Sequence, residues 1–172
     1  DELKGRGYEV IAEDMPDPVA AHANVWLPHI ENVLKADEST IIIGHSSGAV
    51  ATLRYLENHK LLGAIIIGTN YTDMGEAAEK ESGYYDAPWQ WDKIKSHADW
   101  ITQFISTDDP YIPKDETKFI HQKLNTEYHE LTGRGHFMID QNPINNNFPE
   151  IIEIIEQKNK ELLKLYKSRQ IF

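Results

Sequence analysis

Cysteine is absent from the 172 residues, and the 17 basic residues are outnumbered by 28 acidic ones. Without cysteine the chain has no disulfide, no thiolate metal ligand and no cysteine nucleophile, so a reducing compartment, the cytoplasm, is expected. The formal charge of −11 would repel phosphate backbones and anionic lipid. The longest apolar runs, Ile41–Ile43 and Ala64–Ile67, are too short to cross a bilayer. We therefore predict binding to neither nucleic acid nor membranes.

Short apolar segments alternate along the chain with amphipathic helical patterns, which is typical of an α/β protein. The predicted strands are Tyr8–Ala12, Thr40–His45, Ala64–Gly68, Trp100–Ser106 and Thr126–Leu131. The predicted helices are Ala21–Leu34, Ser47–Asn58, Lys114–Leu124 and Pro149–Lys167. Continuous β-branched runs indicate strands covered on both faces, as in a parallel sheet. We predict a single domain over residues 1–172, with a doubly wound, mostly parallel sheet, helices on both faces and no separate lid domain.

The segment Tyr71–His97 departs from this alternation, because it is long and lies between the end of one predicted strand and the next. Its aromatic residues include Tyr84, Tyr85, Trp89 and Trp91. Such a segment crosses the carboxyl edge of the sheet, where ligands bind in folds of this class. Two interpretations stay open: the aromatic side chains form the wall of a ligand site, or they only pack the segment onto the surface.

The string IIIGHSSGAV at residues 41–50 places Gly44, Ser46 and Gly48 between a predicted strand and a predicted helix. This G-x-S-x-G spacing is that of a nucleophilic serine on a tight strand-to-helix turn. Glycine is expected at both flanking positions because a side chain there would collide with the neighbouring strand and helix. The backbone N–H of Ser47 would point at a developing oxyanion, at the positive end of the helix. We predict that Ser46 is a nucleophile.

An acid and a histidine follow in the order that such a serine requires. Asp108 and Asp109 come directly after the predicted strand Trp100–Ser106, where a carboxylate that orients a base belongs. The spacing D-x-x-I-P favours Asp109 as the acid, and Asp108 is expected to bind turn amides. His136 follows the last predicted strand between two glycines and is the predicted general base. The alternative, that both aspartates are only turn residues, stays open.

Other chemistries find little support in the sequence. The remaining histidines apart from His45 lie on helical or strand patterns: His22, His29, His59, His97, His121 and His129. His45, inside the glycine turn, either lines the pocket or packs. No pair of histidines has metal-ligand spacing with a third ligand nearby, and no G-x-G-x-x-G or phosphate loop follows a strand. We predict no metal and no cofactor.

Several longer strings are more specific than the serine motif. They are MPDP at 15–18, WLP at 26–28, TIIIGHSSGA at 40–49, SGYYDAPWQWDKIK at 82–95, STDDPYIP at 106–113 and GHF at 135–137. Together they resemble the serine hydrolases related to retinoblastoma-binding protein nine, which are small and lidless. The resemblance covers nearly all of the chain up to about Phe137. It implies an α/β-hydrolase-like fold, hydrolysis of small esters or amides, and the same three residues, Ser46, Asp109 and His136.

The sequence departs from this family at two places. Family members open with a strand and a glycine-rich loop that gives one oxyanion-hole amide. This sequence begins after both, so we expect a somewhat larger enzyme of about 200 residues, within the size range of single domains. Binding to retinoblastoma-type proteins is associated with an L-x-C-x-E string. The matching stretch, Leu34-Lys35-Ala36-Asp37-Glu38, has alanine in place of cysteine, so we do not predict that interaction.

The sequence therefore predicts a serine hydrolase that acts on small ester or amide substrates through an acyl-enzyme. The predicted substrate-binding residues are His45, Tyr71, Trp89, Trp91 and Phe137. Aromatic walls would favour small hydrophobic acyl or amino-acyl groups. The alternative is a hydrolase-fold protein with little or no turnover that acts as a binding module, because a fold alone does not establish an activity.

Overall fold

Four parallel strands form one sheet, and their order across the sheet follows their order along the chain. The computed structural model describes the backbone of residues 1–169 and the side chains of residues 1–165. The strands are β1 (Ile41–His45), β2 (Gly63–Ile67), β3 (Ile101–Ser106) and β4 (Glu127–Leu131). These four lie within one residue of their predicted bounds, and the predicted parallel sheet is confirmed.

Helices follow each strand, as the alternating pattern predicts. Within the described residues they are α1 (Glu2–Gly5), α2 (Ala23–Asn32), α3 (Ser47–Leu56), α4 (Ala77–Glu81), α5 (Trp91–Ser96), α6 (Lys114–Leu124) and α7 (Pro149–Arg169), with a 3₁₀ turn at Pro143–Asn146. The short helices α4 and α5 lie inside the aromatic segment 71–97, for which no helix was predicted. Within the described part of the chain, no helix combines the length and apolar character needed to cross a bilayer.

Side chains of β2 alternate between two apolar cores, one on each face of the sheet. Ala64 and Ile66 pack with α2, α3, α5 and α6, whereas Ile65 and Ile67 pack with Phe104 and α7. Right-handed crossovers that all run in one direction place α3, α5 and α6 on the same face. The predicted α/β fold with helices on both faces is therefore confirmed.

The predicted first strand, Tyr8–Ala12, is wrong. These residues form no helix or strand, and none belongs to the sheet. The Tyr8 N–H bonds instead to the Leu3 carbonyl, at 3.1 Å. Apolar alternation suits a strand, yet a strand exists only where a neighbouring strand completes its backbone hydrogen bonds. Among the described residues β1 pairs with β2 alone, so β1 is an edge strand, and its Ile43 is 42% exposed.

Candidate active site

Ser46 occupies a tight turn between β1 and α3, with φ 53° and ψ −122°. A positive φ is uncommon for a residue that carries a Cβ and concentrates at functional sites. The Ser46 N–H donates to the Ile67 carbonyl at the end of β2, at 2.9 Å. This bond fixes the serine at the carboxyl edge of the sheet.

The two glycines of the motif have different reasons to be glycine. A Cβ on Gly44 would lie 2.4 Å from the Gly48 carbonyl oxygen, which no backbone tolerates. A Cβ on Gly48 would meet nothing within 4 Å. The prediction that a side chain would collide with its neighbours is therefore confirmed at Gly44. It is wrong at Gly48, where the space beside the Cα is open.

Ser47 is the first residue of α3, so its N–H has no acceptor within the helix. The helix dipole adds partial positive charge at this end. A substrate oxygen that becomes negatively charged beside Ser46 could therefore accept a hydrogen bond from the Ser47 N–H. The dipole of α3 would also stabilise its charge. This arrangement can stabilise an oxyanion.

His136 and Asp109 form a buried pair, with His136 Nδ1 2.8 Å from Asp109 Oδ2 and side chains 7% and 4% exposed. The other carboxylate oxygen accepts the N–H groups of Tyr111 at 2.9 Å and Ile112 at 3.0 Å. Burial raises the pKa of Asp109, but the hydrogen bonds from His136, Ile112 and Tyr111 outweigh it and the pKa is lowered. An ionised Asp109 can only accept, so the proton lies on Nδ1 and Nε2 of the neutral ring is free to act as a base.

Asp108 joins the acid loop to the histidine loop. Its Oδ1 accepts from Ser106 Oγ at 2.6 Å, Gly133 N at 2.9 Å and Gly135 N at 3.4 Å. The hydrogen bond from Ser106 is the main reason that the pKa of Asp108 is lowered. The expectation that Asp108 binds turn amides is confirmed, and Asp109 is the aspartate that contacts His136.

Ser46 and His136 each contact the end of β2. The His136 ring lies against Gly68, where a Cβ would be 3.0 Å from Cε1, one residue after the Ile67 carbonyl that binds Ser46. His45 Nε2 donates to the His136 carbonyl at 2.7 Å, so the residue before Ser46 also holds this loop. In the described structure Ser46 Oγ makes no hydrogen bond to His136. Such bonds commonly close only in the substrate complex.

Further side chains support the histidine loop, and sequence reasoning missed them. Gln141 Oε1 accepts the His136 N–H. The Arg134 guanidinium, in a residue only 5% exposed, bonds to Asn145 Oδ1 at 3.1 Å and to Glu150. These side chains are far from the serine motif in sequence and belong to no motif of their own, so the sequence alone did not reveal their role.

The predicted aromatic residues Tyr71, Trp89 and Trp91 cluster together with Phe119, which the sequence did not suggest. Ring centroids lie 4.1 Å apart for Tyr71 and Phe119 and 5.3 Å apart for Trp89 and Trp91. Trp89 Nε1 donates to the Tyr71 carbonyl at 2.8 Å. An open cleft of about 450 Å³ adjoins them, lined by Tyr71, Thr72, Asp73 and residues 85–89.

Phe137 does not line this cleft. Phe137 has a φ of 60°, and its side chain lies in the core beside α7, where it is 8% exposed and stacks on Phe148 at 5.4 Å. The role of Phe137 as a substrate contact therefore stays a prediction that this cleft does not support. Tyr111 is the aromatic side chain exposed beside His136, 58% exposed with ring centroids 5.2 Å apart. Sequence reasoning missed it, although it lies in the STDDPYIP string.

Solved structures share this fold, which is α/β-hydrolase-like. The ydeN gene product of Bacillus subtilis superposes with a TM-score of 0.82 at 21% identity, covering 92% of this chain and 87% of its own. A structure reported with the carboxylesterases of the thaumarchaeon Nitrososphaera gargenis has a TM-score of 0.64 at 13% identity, covering 93% and 84%. At these identities the similarity establishes the fold.

Sequence comparison establishes the family. The profile of the serine hydrolase family matches residues 7–157. The serine hydrolase RBBP9 of Rattus norvegicus is 42% identical over 150 residues, which are 87% of this chain and 77% of the rat protein. The chain belongs to the serine hydrolase family, and the suspected relationship is confirmed.

Proposed function

We propose that this hydrolase cleaves small ester or amide substrates through an acyl-enzyme on Ser46. The observation that carries the proposal is the buried His136–Asp109 pair, which packs on Gly68 at the same strand end that binds Ser46. Three side chains with these roles recur in hydrolases that use a serine nucleophile.

The geometry supports a two-step reaction. His136 Nε2 takes the Ser46 Oγ proton as Oγ attacks the carbonyl carbon, and Asp109 stabilises the imidazolium that forms. The Ser47 N–H donates to the oxyanion, and His136 then protonates the leaving alcohol or amine. A water molecule activated by the same imidazole releases the acid and restores Ser46.

Substrates are proposed to be small carboxylic esters, with amides as the second class. Tyr71 and Trp89 line an open cleft, Trp91 stacks on Trp89 behind them, and these aromatic rings suit a compact hydrophobic acyl group. The carboxylesterases among the structural relatives support the ester preference. A comparison of 4-nitrophenyl esters with amino-acyl 4-nitroanilides would decide between carboxylesterase and aminopeptidase-like activity.

A fluorophosphonate probe tests the nucleophile directly. We expect the protein to be labelled at Ser46 and the label to be lost in Ser46→Ala. Ser47→Ala is the matched control, because only its backbone N–H is used and labelling should persist. Asp109→Asn should lower kcat by about 10⁴-fold through the wrong imidazole tautomer. A folded wild-type protein that stays unlabelled and hydrolyses no ester or amide would contradict the proposal and favour a binding module.

A further inference from the structure

A charged pair lies buried at the carboxyl end of the helix that begins beside Ser46. Arg54 and Glu57 are each only 6% exposed, and all residues of α3 from Ala49 to Leu56 are buried. Burying an arginine is costly unless its donors are satisfied. The partners of this pair therefore show what it holds in place.

The Arg54 guanidinium binds the backbone of the aromatic segment. Nε donates to the Tyr84 carbonyl at 2.7 Å, one terminal nitrogen donates to the Ala87 carbonyl at 2.7 Å, and the other contacts the Pro88 carbonyl at 3.5 Å. One side chain thus satisfies three carbonyls within five residues of chain. A lysine ammonium cannot reproduce this planar fork.

Glu57 completes the attachment. Its Oε1 accepts from the Arg54 guanidinium at 2.8 Å and from the Gln90 backbone N–H at 2.9 Å. The pair therefore binds three backbone carbonyls and one backbone N–H within residues 84–90. Because Arg54 lies in α3 and Glu57 directly follows its last residue, these residues are fixed relative to that helix.

The pair also fixes the ring of Trp89. The Arg54 guanidinium carbon lies 3.6 Å from the Trp89 ring centroid, a cation–π contact. The indole N–H donates to the Tyr71 carbonyl at 2.8 Å. Tyr71 follows Gly68 by three residues, so their Cα atoms lie within about 11 Å. Trp89 is thus held between α3 and the loop after β2, whose Gly68 contacts His136.

We propose that Arg54 is a positioning residue, which with Glu57 holds residues 84–90 and the Trp89 ring against α3 and so sets which acyl groups the enzyme accepts. The inference rests on the proposed function. Neither side chain reacts with substrate; both act through the placement of Trp89.

Arg54→Lys and Glu57→Gln test the attachment, with the exposed Arg6→Lys as the matched control. Amide hydrogen exchange should speed up in residues 84–91 of both test variants, while β2 and β3 keep wild-type rates. The ratio of kcat/KM for 4-nitrophenyl benzoate to that for 4-nitrophenyl acetate should shift about fivefold or more in either direction, the size of one aromatic contact. Arg6→Lys should leave both measurements unchanged.

The possible results distinguish the role of Arg54 and Glu57 from the proposed hydrolase function. Unchanged exchange in residues 84–91 would overturn the attachment itself. Faster exchange with an unchanged ester ratio in an active enzyme would overturn the role in acyl selection and leave the proposed function intact. A wild-type protein that hydrolyses neither ester and is not labelled by the fluorophosphonate would overturn the proposed function and, with it, the role in acyl selection. The hydrogen-exchange measurement would still test whether Arg54 and Glu57 hold residues 84–90.

Discussion

The imidazole of His136 rests on the backbone of Gly68, and this contact needs the absence of a side chain. An added methyl group would lie 3.0 Å from Cε1, 3.1 Å from Nδ1 and 3.6 Å from Asp109 Oδ2. Gly68 also has a φ of 57°, which favours glycine. The residue therefore sets both the height of the imidazole above β2 and the course of the chain that leaves the strand.

Gly68→Ala should lower kcat by about 100-fold, because a displacement of the base by about 1 Å costs that much. Gly75→Ala is the matched control: its φ is 79°, yet an added Cβ would meet nothing within 4 Å. Both variants carry the same kind of backbone strain, so only Gly68→Ala tests the contact with His136. Equal kcat in the two variants, measured with one ester, would show that the contact does not matter.

At the scale of elements, the junction of β1 and α3 is held by one close approach. A Cβ at Gly44 would lie 2.4 Å from the Gly48 carbonyl oxygen and 2.8 Å from the Ala49 Cα. Since both obstacles are backbone atoms, the strand and the helix would have to separate. The turn that gives Ser46 its positive φ depends on this approach.

Gly44→Ala should therefore reduce the free energy of unfolding by at least ~2 kcal/mol, as overpacking against a rigid neighbour does. Gly48→Ala should instead stabilise by up to ~1 kcal/mol, because alanine is favoured over glycine in a helix and the space is open. Urea unfolding followed by circular dichroism measures both. Similar losses in the two variants would contradict the steric difference.

Helices and strands that are marked by a pattern within their own residues could be predicted from the sequence. β1 to β4 are apolar runs between turn residues, and α6 follows a proline and carries its own periodicity, so its bounds were predicted at both ends. Residues 8–12 show why a local signal is insufficient: they read as a strand, but strand formation depends on a neighbour that periodicity does not reveal.

Within the site, motif spacing indicated Ser46, Asp109 and His136, and the structure brings them to one strand end. The spacing could not reveal Gly68, which contacts His136 across 68 residues of chain, or Gln141, whose hydrogen bond to His136 belongs to no motif. Phe137 has a φ of 60° and packs in the core beside α7, which motif spacing does not reveal. Arg54 did leave a signal, as the one ionised side chain of an otherwise uncharged α3.

At the scale of the whole molecule, several carboxylates are more acidic than usual, and Asp109 is the most buried of those in the site. Burial raises its pKa, but the hydrogen bonds from His136 and two backbone N–H groups lower it below the ordinary value of 3.8. A carboxyl with a depressed folded-state pKa stabilises the fold above its unfolded pKa. That contribution is lost as pH falls through the folded-state pKa.

The free energy of unfolding should therefore fall as the pH drops from about 5 towards 2, with Asp109 contributing to the slope. Asp109→Asn removes this group, so its acid limb should be shallower than that of the wild type. Asp92→Asn, at an exposed position of α5, serves as the control and should keep the wild-type slope. Parallel acid limbs for Asp109→Asn and the wild type, in unfolding titrations at matched pH, would contradict the assignment.

In the sheet formed by the described residues β1 is an edge strand, which affects how molecules of this chain associate. An edge strand with an exposed apolar residue can pair with the same edge of another molecule, and an added charge prevents this. Ile43→Lys should therefore lower concentration-dependent light scattering relative to the wild type. Val19→Lys, at a turn position that is 99% exposed, is the control and should scatter like the wild type. Equal scattering in all three proteins would exclude association through this edge.

The strand order β1-β2-β3-β4 has a consequence for the order of synthesis. From β2 onward each strand pairs with one that the ribosome has already made, so the sheet can grow in one direction as the chain emerges. Ser46 is in place early, whereas His136 lies beyond the last strand. Under the proposed roles, the nascent chain therefore carries Ser46 without its general base. Ser46 becomes a nucleophile only when the loop that contains His136 folds over the end of β2.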